Sequence, residues 1–160
     1  MRYVLDSSAI FTCKGFDSRS ELNTTPNVLK EIKAGGRVRK HLEFLLAAGL
    51  KVREPNNLYV NRVQEVAGVT GDIGKLSDTD ISIIALALET GAVIISDDYA
   101  IQNVARVMRI EYLGLGQDVI KKVLHWEYKC TGCGRKLPDK KMECPVCGHN
   151  ARAVVKKRNR

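Results

Sequence analysis

Strands alternating with helices predict an α/β fold in which a parallel sheet is covered by helices, followed by a small cysteine-built module. Three observations predict it. Short apolar runs, Tyr3-Val4-Leu5 and Ala92 to Ile95, are separated by stretches of helical character and length. Four of the five cysteines fall in two C-x2-C pairs near the C-terminus. The whole charge excess lies beside those pairs. Residues 129–160 hold ten of the 26 Lys and Arg but only Asp139 and Glu143 of the 18 acids, so they carry the entire +8.

In chain order, Tyr3-Val4-Leu5 reads as a buried strand, and Asp6-Ser7-Ser8 offers side chains that cap a helix. Thr25-Pro26 is an N-cap followed by proline at the first helical position, opening NVLKEI. A Gly35-Gly36 break precedes a second helix ending near Gly49, and Lys51-Val52-Arg53 reads as a strand. Asn56 or Asn57 caps a helix that runs to about Val69. Ser77 starts the strongly apolar helix DTDISIIALALET, which Gly91 stops. The unbroken apolar run to Ile95 predicts a central parallel strand, Asp97 onward a helix, and Ile110 to Leu113 another strand. These readings divide the chain into an α/β unit at 1–113, a linker at 114–128, a cysteine module at 129–152 and a basic tail at 153–160.

Composition narrows the class. In 160 residues, 44% are hydrophobic and 28% charged, with 4 Pro and 13 Gly, which suits a globular protein and excludes a collagenous or mucin-like chain. The longest apolar stretch, Ile81 to Leu88, falls short of the roughly 20 residues that span a bilayer, so no membrane is expected. MRYVLDSSAI meets an aspartate after three apolar residues and does not read as a secretory signal; the chain reads as cytoplasmic. A basic appendage on a formally neutral body attracts polyanions, nucleic acid foremost.

Cys130, Cys133, Cys144 and Cys147 form C-x2-C, ten residues, C-x2-C, and a glycine follows each pair. Four thiolates from two such turns close a tetrahedral zinc site with no position left for water, so one structural Zn2+ is expected. A module of this size buries little core, and the metal supplies its folding free energy. The pattern resembles a zinc ribbon of the rubredoxin-knuckle type. His149 is surplus to a four-cysteine site, and Cys13 reads as a small buried residue.

In a parallel sheet, ligands bind beyond the carboxyl ends of the strands. Asp6 ends the first strand, and Asp97-Asp98 follow the VIIS strand. Glu31 lies at the margin of its helix's apolar stripe, and Asp78 and Asp80 occupy the first turn of the most hydrophobic helix. Carboxylates sharing a pocket repel one another unless a cation neutralises them, and all-oxygen ligation selects Mg2+ or Mn2+. Each acid also has a purely structural reading. Ser77 with Asp80 fits a capping box, Asp6 and Asp97 or Asp98 suit helix caps, and Glu31 suits a surface charge. Ser7 and Ser8 either cap a helix or donate to a phosphate oxygen.

Together, VLDSSAIF, PNVLKEI, LSDTDISIIALALETG and AVIISDDYAIQNVA resemble the four-acid pattern of the PIN-domain nucleases, spanning residues 4–105. The resemblance implies a PIN-like fold and a catalytic Mg2+ or Mn2+ site made of Asp6, Glu31, Asp80 and Asp98. Asp78 and Asp97 are the alternatives. Asp78 and Asp80 are about 200° apart around a helix and cannot both face one pocket. A PIN domain followed by a four-cysteine ribbon and a basic tail resembles the archaeal Nin-one-binding protein family. That resemblance implies an endoribonuclease cutting precursor rRNA to form the mature 3′ end of small-subunit ribosomal RNA. Its partners would be the small ribosomal subunit and other assembly factors. Lys129, Arg135, Lys136, Lys140 and Lys141 would neutralise RNA phosphates. Trp126 and Tyr128 read as packing against the main domain rather than stacking on bases. Two other readings stand: a toxin-type PIN ribonuclease acting on tRNA or mRNA, and a non-catalytic RNA-binding assembly factor.

Overall fold

The computed structural model describes residues 1–12, 19–32, 36–115, 125–140 and 142–156. Cys13, Gly35, Lys141, the middle of the 114–128 segment and residues 157–160 of the basic tail lie outside them. The first unit runs β1 (Arg2–Leu5), α1 (Ser7–Thr12), β2 (Glu21–Thr24), α2 (Pro26–Glu31), α3 (Gly36–Ala47), β3 (Lys51–Val52) and α4 (Asn57–Thr70). It continues α5 (Asp78–Thr90), β4 (Val93–Ile95), α6 (Tyr99–Val107) and β5 (Tyr112–Leu113). The cysteine module adds β6 (Trp126–Cys130), β7 (Lys136–Leu137) and β8 (Ala151–Val155).

The five strands pair in parallel in the order β3-β2-β1-β4-β5, flanked by the helices. The chain builds outward from β1 to β2 and β3, then returns to place β4 on the other side of β1. This makes the β1/β4 boundary the topological switch point, where the loops leaving the two strands diverge and open a crevice. Asp6 follows β1 and Asp97-Asp98 follow β4 by one residue, so the sheet order alone sets these acids on either side of it.

The core is built around β1, β4 and α5. Val4, Leu5, Ile94, Ile83, Ile84 and Leu86 are almost completely buried. α5 is apolar nearly all round because it lies inside the unit, against α4, α6, α2 and the sheet. Burying each such side chain contributes about 1.5–3 kcal/mol. The helix starts where the sequence places it. Ser77 Oγ accepts from Asp80 N, and the Asp80 side chain accepts from Ser77 N, completing the capping box. α4 likewise opens on Asn56, whose side chain accepts from Leu58 N.

Strand β2 escaped the sequence reading. Its residues, ELNT, include a single apolar side chain, yet Asn23 and Thr24 are fully buried beside β1. Thr24 Oγ1 donates to Leu5 O at 2.9 Å, so the polar side chain is satisfied across the strand pair. The second sheet is antiparallel, in the order β7-β6-β8, and pairs Trp126 with Val155 and Cys130 with Ala151. Its pairing begins inside the segment read as linker and ends inside the segment read as tail, because backbone ladders extend past the cysteines whose spacing set those bounds.

The second sheet meets the first unit at the loop between α4 and α5, where Gly71 lies by Trp126 and Gly74 by Tyr128. Gly71 caps α4 in the left-handed conformation, φ 80°, and a Cβ there would come within 2.5 Å of the Trp126 carbonyl oxygen. Only a residue without a side chain allows β6 this close. Trp126 and Tyr128 therefore pack on the first unit, as their sequence context suggests. Lys75 lies over the Trp126 ring.

Candidate functional site

Asp6 is buried at the end of β1. Its Oδ1 accepts from Ser8 Oγ at 2.8 Å and from Ala9 N at 2.6 Å, which holds the carboxylate against the start of α1. Burial pushes its pKa above the usual carboxylate range, against hydrogen bonds from Ser96, Ala9 and Ser8, and the Asp98 charge pushes it further up. Ser8 is thus engaged with Asp6 as well as lying in the helix's first turn.

Asp80 is half-buried in the first turn of α5. Its Oδ2 accepts from Ser77 N and Ser77 Oγ, both at 2.8 Å. Burial raises its pKa despite those bonds, and the charges of Asp98 and Glu31 raise it further. Asp98 is the exposed N-cap of α6, with Oδ1 accepting from Ala100 N at 2.6 Å. Glu31 is the exposed last residue of α2. The capping readings of Asp6, Asp80 and Asp98 are therefore realised in hydrogen bonds. They coexist with a shared negative field, since Asp98 acts on both Asp6 and Asp80, and Glu31 acts on Asp80.

The alternatives are held differently. Asp97 Oδ1 accepts from Leu115 N at 2.7 Å, tying the loop after β4 to the chain beyond β5. Asp78 is exposed and lines a separate cleft between α2, α4 and α5. Ser96, the last residue of the VIIS run, joins the acids. It is fully buried, its hydroxyl bonds Asp6, and its Oγ accepts from Asp98 N at 3.0 Å.

Raised carboxylate pKa values caused by burial and like charge mark a place where a divalent cation lowers the energy. The four acids are electrostatic neighbours rather than a closed cage. Among the described residues, only the cysteines form a set of three or more metal-ligating side chains whose ligand atoms all lie within 4.8 Å of one another.

The cysteine set is much tighter. The sulfurs of Cys130 and Cys147 are 3.3 Å apart, and those of Cys133 and Cys144 3.5 Å. Tetrahedral Zn–S bonds of about 2.3 Å place sulfurs roughly 3.8 Å apart, so the four thiols fit a metal ion with small adjustments. Gly132 N donates to Cys130 Sγ at 3.3 Å, and amides of Val146 and Cys147 hold the Cys144 thiol below its usual pKa. Gly134 and Gly148, φ 73° and 70°, take the left-handed turn that closes each knuckle. His149 stands outside the set, its Nδ1 2.9 Å from Cys147 O.

The basic residues of the module divide into two kinds. Lys129 and Lys136 both pair with Glu127, at 2.9 and 2.8 Å. Arg135 and Lys140 are exposed, and Lys140 lies near enough to Lys75 for its charge to disfavour a second ammonium there.

Residues 3–90 match a family model described as the PIN domain of ribonuclease. The chain is 39% identical over 160 residues to "Endoribonuclease Nob1" of Pyrococcus abyssi, spanning 98% of this chain and 96% of that one. It is 37% identical over 158 residues to "Ribonuclease VapC1" of Thermoplasma acidophilum, spanning 99% of this chain and 80% of the relative. Among solved structures, VapBC2 from Rickettsia felis bound to a DNA fragment superposes with a TM-score of 0.51. It is 16% identical and covers 71% of this chain and 98% of that one, a likeness of fold.

Proposed function

The chain belongs to the PIN-domain ribonucleases and is an endoribonuclease, and from that premise we propose that it cleaves precursor rRNA to form the mature 3′ end of small-subunit ribosomal RNA. The observation that carries this reading is the coexistence of two features in one chain. Mutually repelling acids lie beyond the parallel strands, and a four-cysteine module packs on the same unit through the α4–α5 loop. Nob1-named relatives from several archaea match nearly the whole of it.

Asp6, Asp80 and Asp98 would hold one or two Mg2+ or Mn2+ ions, with Glu31 ligating directly or through water. Bound there, such ions neutralise charge on a phosphodiester and lower the pKa of an attacking water. The protein's own groups do the rest. Asp6, fixed by Ser8, Ala9 and Ser96, presents a preformed oxygen at the crevice floor. Asp80 spends one oxygen on the Ser77 cap and leaves the other for a ligand. Asp98 uses Oδ1 for its helix and keeps Oδ2 available. The products would carry a 5′-phosphate and a 3′-hydroxyl.

In this reading Cys130, Cys133, Cys144 and Cys147 hold one structural Zn2+. Arg135, Lys140 and Lys141 approach RNA phosphates, with Lys129 and Lys136 contributing less because Glu127 neutralises them. The chain works in the cytoplasm, with the assembling small subunit and its other assembly factors as partners. None of the described helices is long and apolar enough to cross a membrane. The work divides between a nuclease unit at 1–113 and the cysteine module, joined through 114–128.

The relative named Ribonuclease VapC1 keeps the toxin-type reading in play, and one experiment separates the three readings. Precursor rRNA, tRNA and an mRNA are each incubated with the protein and Mn2+, alongside Asp6→Asn. Cleavage confined to the rRNA 3′ boundary and lost in the variant is expected. Preferred cutting of tRNA or mRNA would favour the toxin type, and no cutting of any substrate would favour the binding factor.

A further inference from the structure

Beside the acids, and not part of them, lies a cleft of about 200 Å3 at the carboxyl ends of β2 and β3. Pro55, Val60 and Ile81 give it apolar walls, and Asn27, Gln64 and Asp78 give it a polar rim, to which Glu54 adds a second carboxylate. Among the described residues, none of those four polar side chains makes a hydrogen bond or ion pair, which leaves each able to bond a ligand. Thr25 and Ser82, hydroxyl to hydroxyl at 2.8 Å, tie its back wall together.

Two shared elements fix the cleft next to the acid site. Asn27 and Glu31 stand four apart on α2, hence on one face, with the cleft at one end and the acids at the other. Asp78 and Asp80 stand about 200° apart in the first turn of α5. Asp80 feels the charges of Asp98 and Glu31, while Asp78 lines the cleft. The start of α5 is thus a wall between them, one helix diameter or roughly 10 Å across with its side chains, within the reach of a neighbouring nucleotide's base. A strand laid with one phosphate at the acids brings an adjoining nucleotide over the cleft.

The lining selects what can enter. Two carboxylates repel a phosphate, so the cleft does not hold backbone. Apolar walls accept a flat ring, amide side chains donate and accept, and carboxylates accept only. Carboxylates pair with exocyclic amino groups, as in acceptance from cytosine N4, and unpaired RNA offers that edge. Uracil presents carbonyl oxygens in the same place and meets the carboxylates acceptor to acceptor.

We propose that the cleft lined by Asn27, Glu54, Gln64 and Asp78 is a base-reading subsite that takes an unpaired nucleobase bearing an exocyclic amino group next to the scissile phosphate. The proposal deepens the RNA-cleaving reading and rests on it for the placement of the phosphate.

Cytosine and uracil are nearly equal in size and differ along this edge, amino group beside a ring acceptor in one and carbonyl beside a single ring N–H in the other, which makes them the test. Fluorescence anisotropy is measured with labelled oligocytidine and oligouridine on the full-length Asp6→Asn protein, which does not turn them over. About tenfold tighter binding of oligocytidine is expected. Adding Glu54→Gln and Asp78→Asn, whose amides can donate to uracil, should bring the two affinities within about twofold. Equal binding by the intact cleft would overturn the proposal whether or not the substituted chain folds, and so would a preference that survives both substitutions. Cleavage of precursor rRNA by the unsubstituted protein is read separately. Cutting with no base preference removes the subsite and keeps the nuclease, whereas a preference without cutting removes the nuclease reading and keeps the subsite.

Discussion

Lys75 carries its ammonium over the indole of Trp126, at the seam between the nuclease unit and the cysteine module. Burial pushes its pKa down to about 8, against the attraction of Asp72, with Lys140 pushing it lower and Asp98 drawing it up. One side chain therefore feels an exposed lysine of the module and an acid of the crevice.

Desolvation of Lys75 makes stability depend on pH. Between about 8 and 10.5 the unfolded chain keeps a proton on Lys75 that the folded chain has released. Stability then rises with pH across this window. Lys75→Met keeps an apolar stem over Trp126 and has no such proton. Urea unfolding at pH 7.5 and 9.5 should show the wild type gaining on the variant as pH rises. A constant difference would mean that Lys75 is not desolvated.

Asp6→Asn separates folding from chemistry. The Asp6 carboxylate is raised by burial, so its ionised form costs the fold free energy once pH exceeds the range from 3.8 up to its folded value. The variant should melt no lower than wild type at pH 7 without divalent ions, lose the Mn2+-induced rise in Tm, and lose at least about a hundredfold in cleavage. Retention of the Mn2+ shift would remove Asp6 from the ion's ligands.

Ser96 bonds both Asp6 and the backbone of Asp98. Its hydroxyl lowers the Asp6 pKa and its oxygen holds the Asp98 amide. Ser96→Ala should leave the chain folded and shift the acid limb of the pH–rate profile to higher pH, because Asp6 then ionises later. A uniform loss of rate with no shift would make Ser96 a packing residue alone.

Removing the sulfur-bound ion should disturb the module selectively. Trp126 is the single tryptophan, starts β6 and touches the α4–α5 loop. Chelation, or Cys144→Ser, should shift its emission to longer wavelength while far-UV helix content stays largely intact. Metal analysis should return about one zinc per chain.

The basic residues should differ in their salt dependence. Arg135→Ala and Lys140→Ala should each weaken RNA binding across sequences and reduce the slope of log affinity against log salt by about 0.7. Lys129→Ala should change it less, since Glu127 already answers that charge at 2.9 Å. Equal slopes for all three would deny the ion pairs any role.

The legible parts of the sequence were those where one local signal dominates. Ser77-x-x-Asp80 before an apolar run specified the start of α5, and the apolar run to Ile95 marked β4 as interior to its sheet. The paired cysteines foretold their own proximity because each C-x2-C turn is closed locally and the metal demand joins them. β2 stayed hidden because its buried side chains, Asn23 and Thr24, are polar and donate to backbone carbonyls of β1, which no hydrophobic period records. The roles of Asp78 and Ser96 were equally opaque. One depends on a cleft assembled from three helices, the other on a hydroxyl reaching across the β1/β4 boundary.

The backbone from Gly71 to Ser77 does two jobs at once: its first residue lies under the Trp126 carbonyl, and its last begins the helix that carries Asp80. A displacement of β6 against this stretch therefore bears on the start of α5, so the cysteine lobe and the carboxylate of Asp80 are mechanically linked through seven residues.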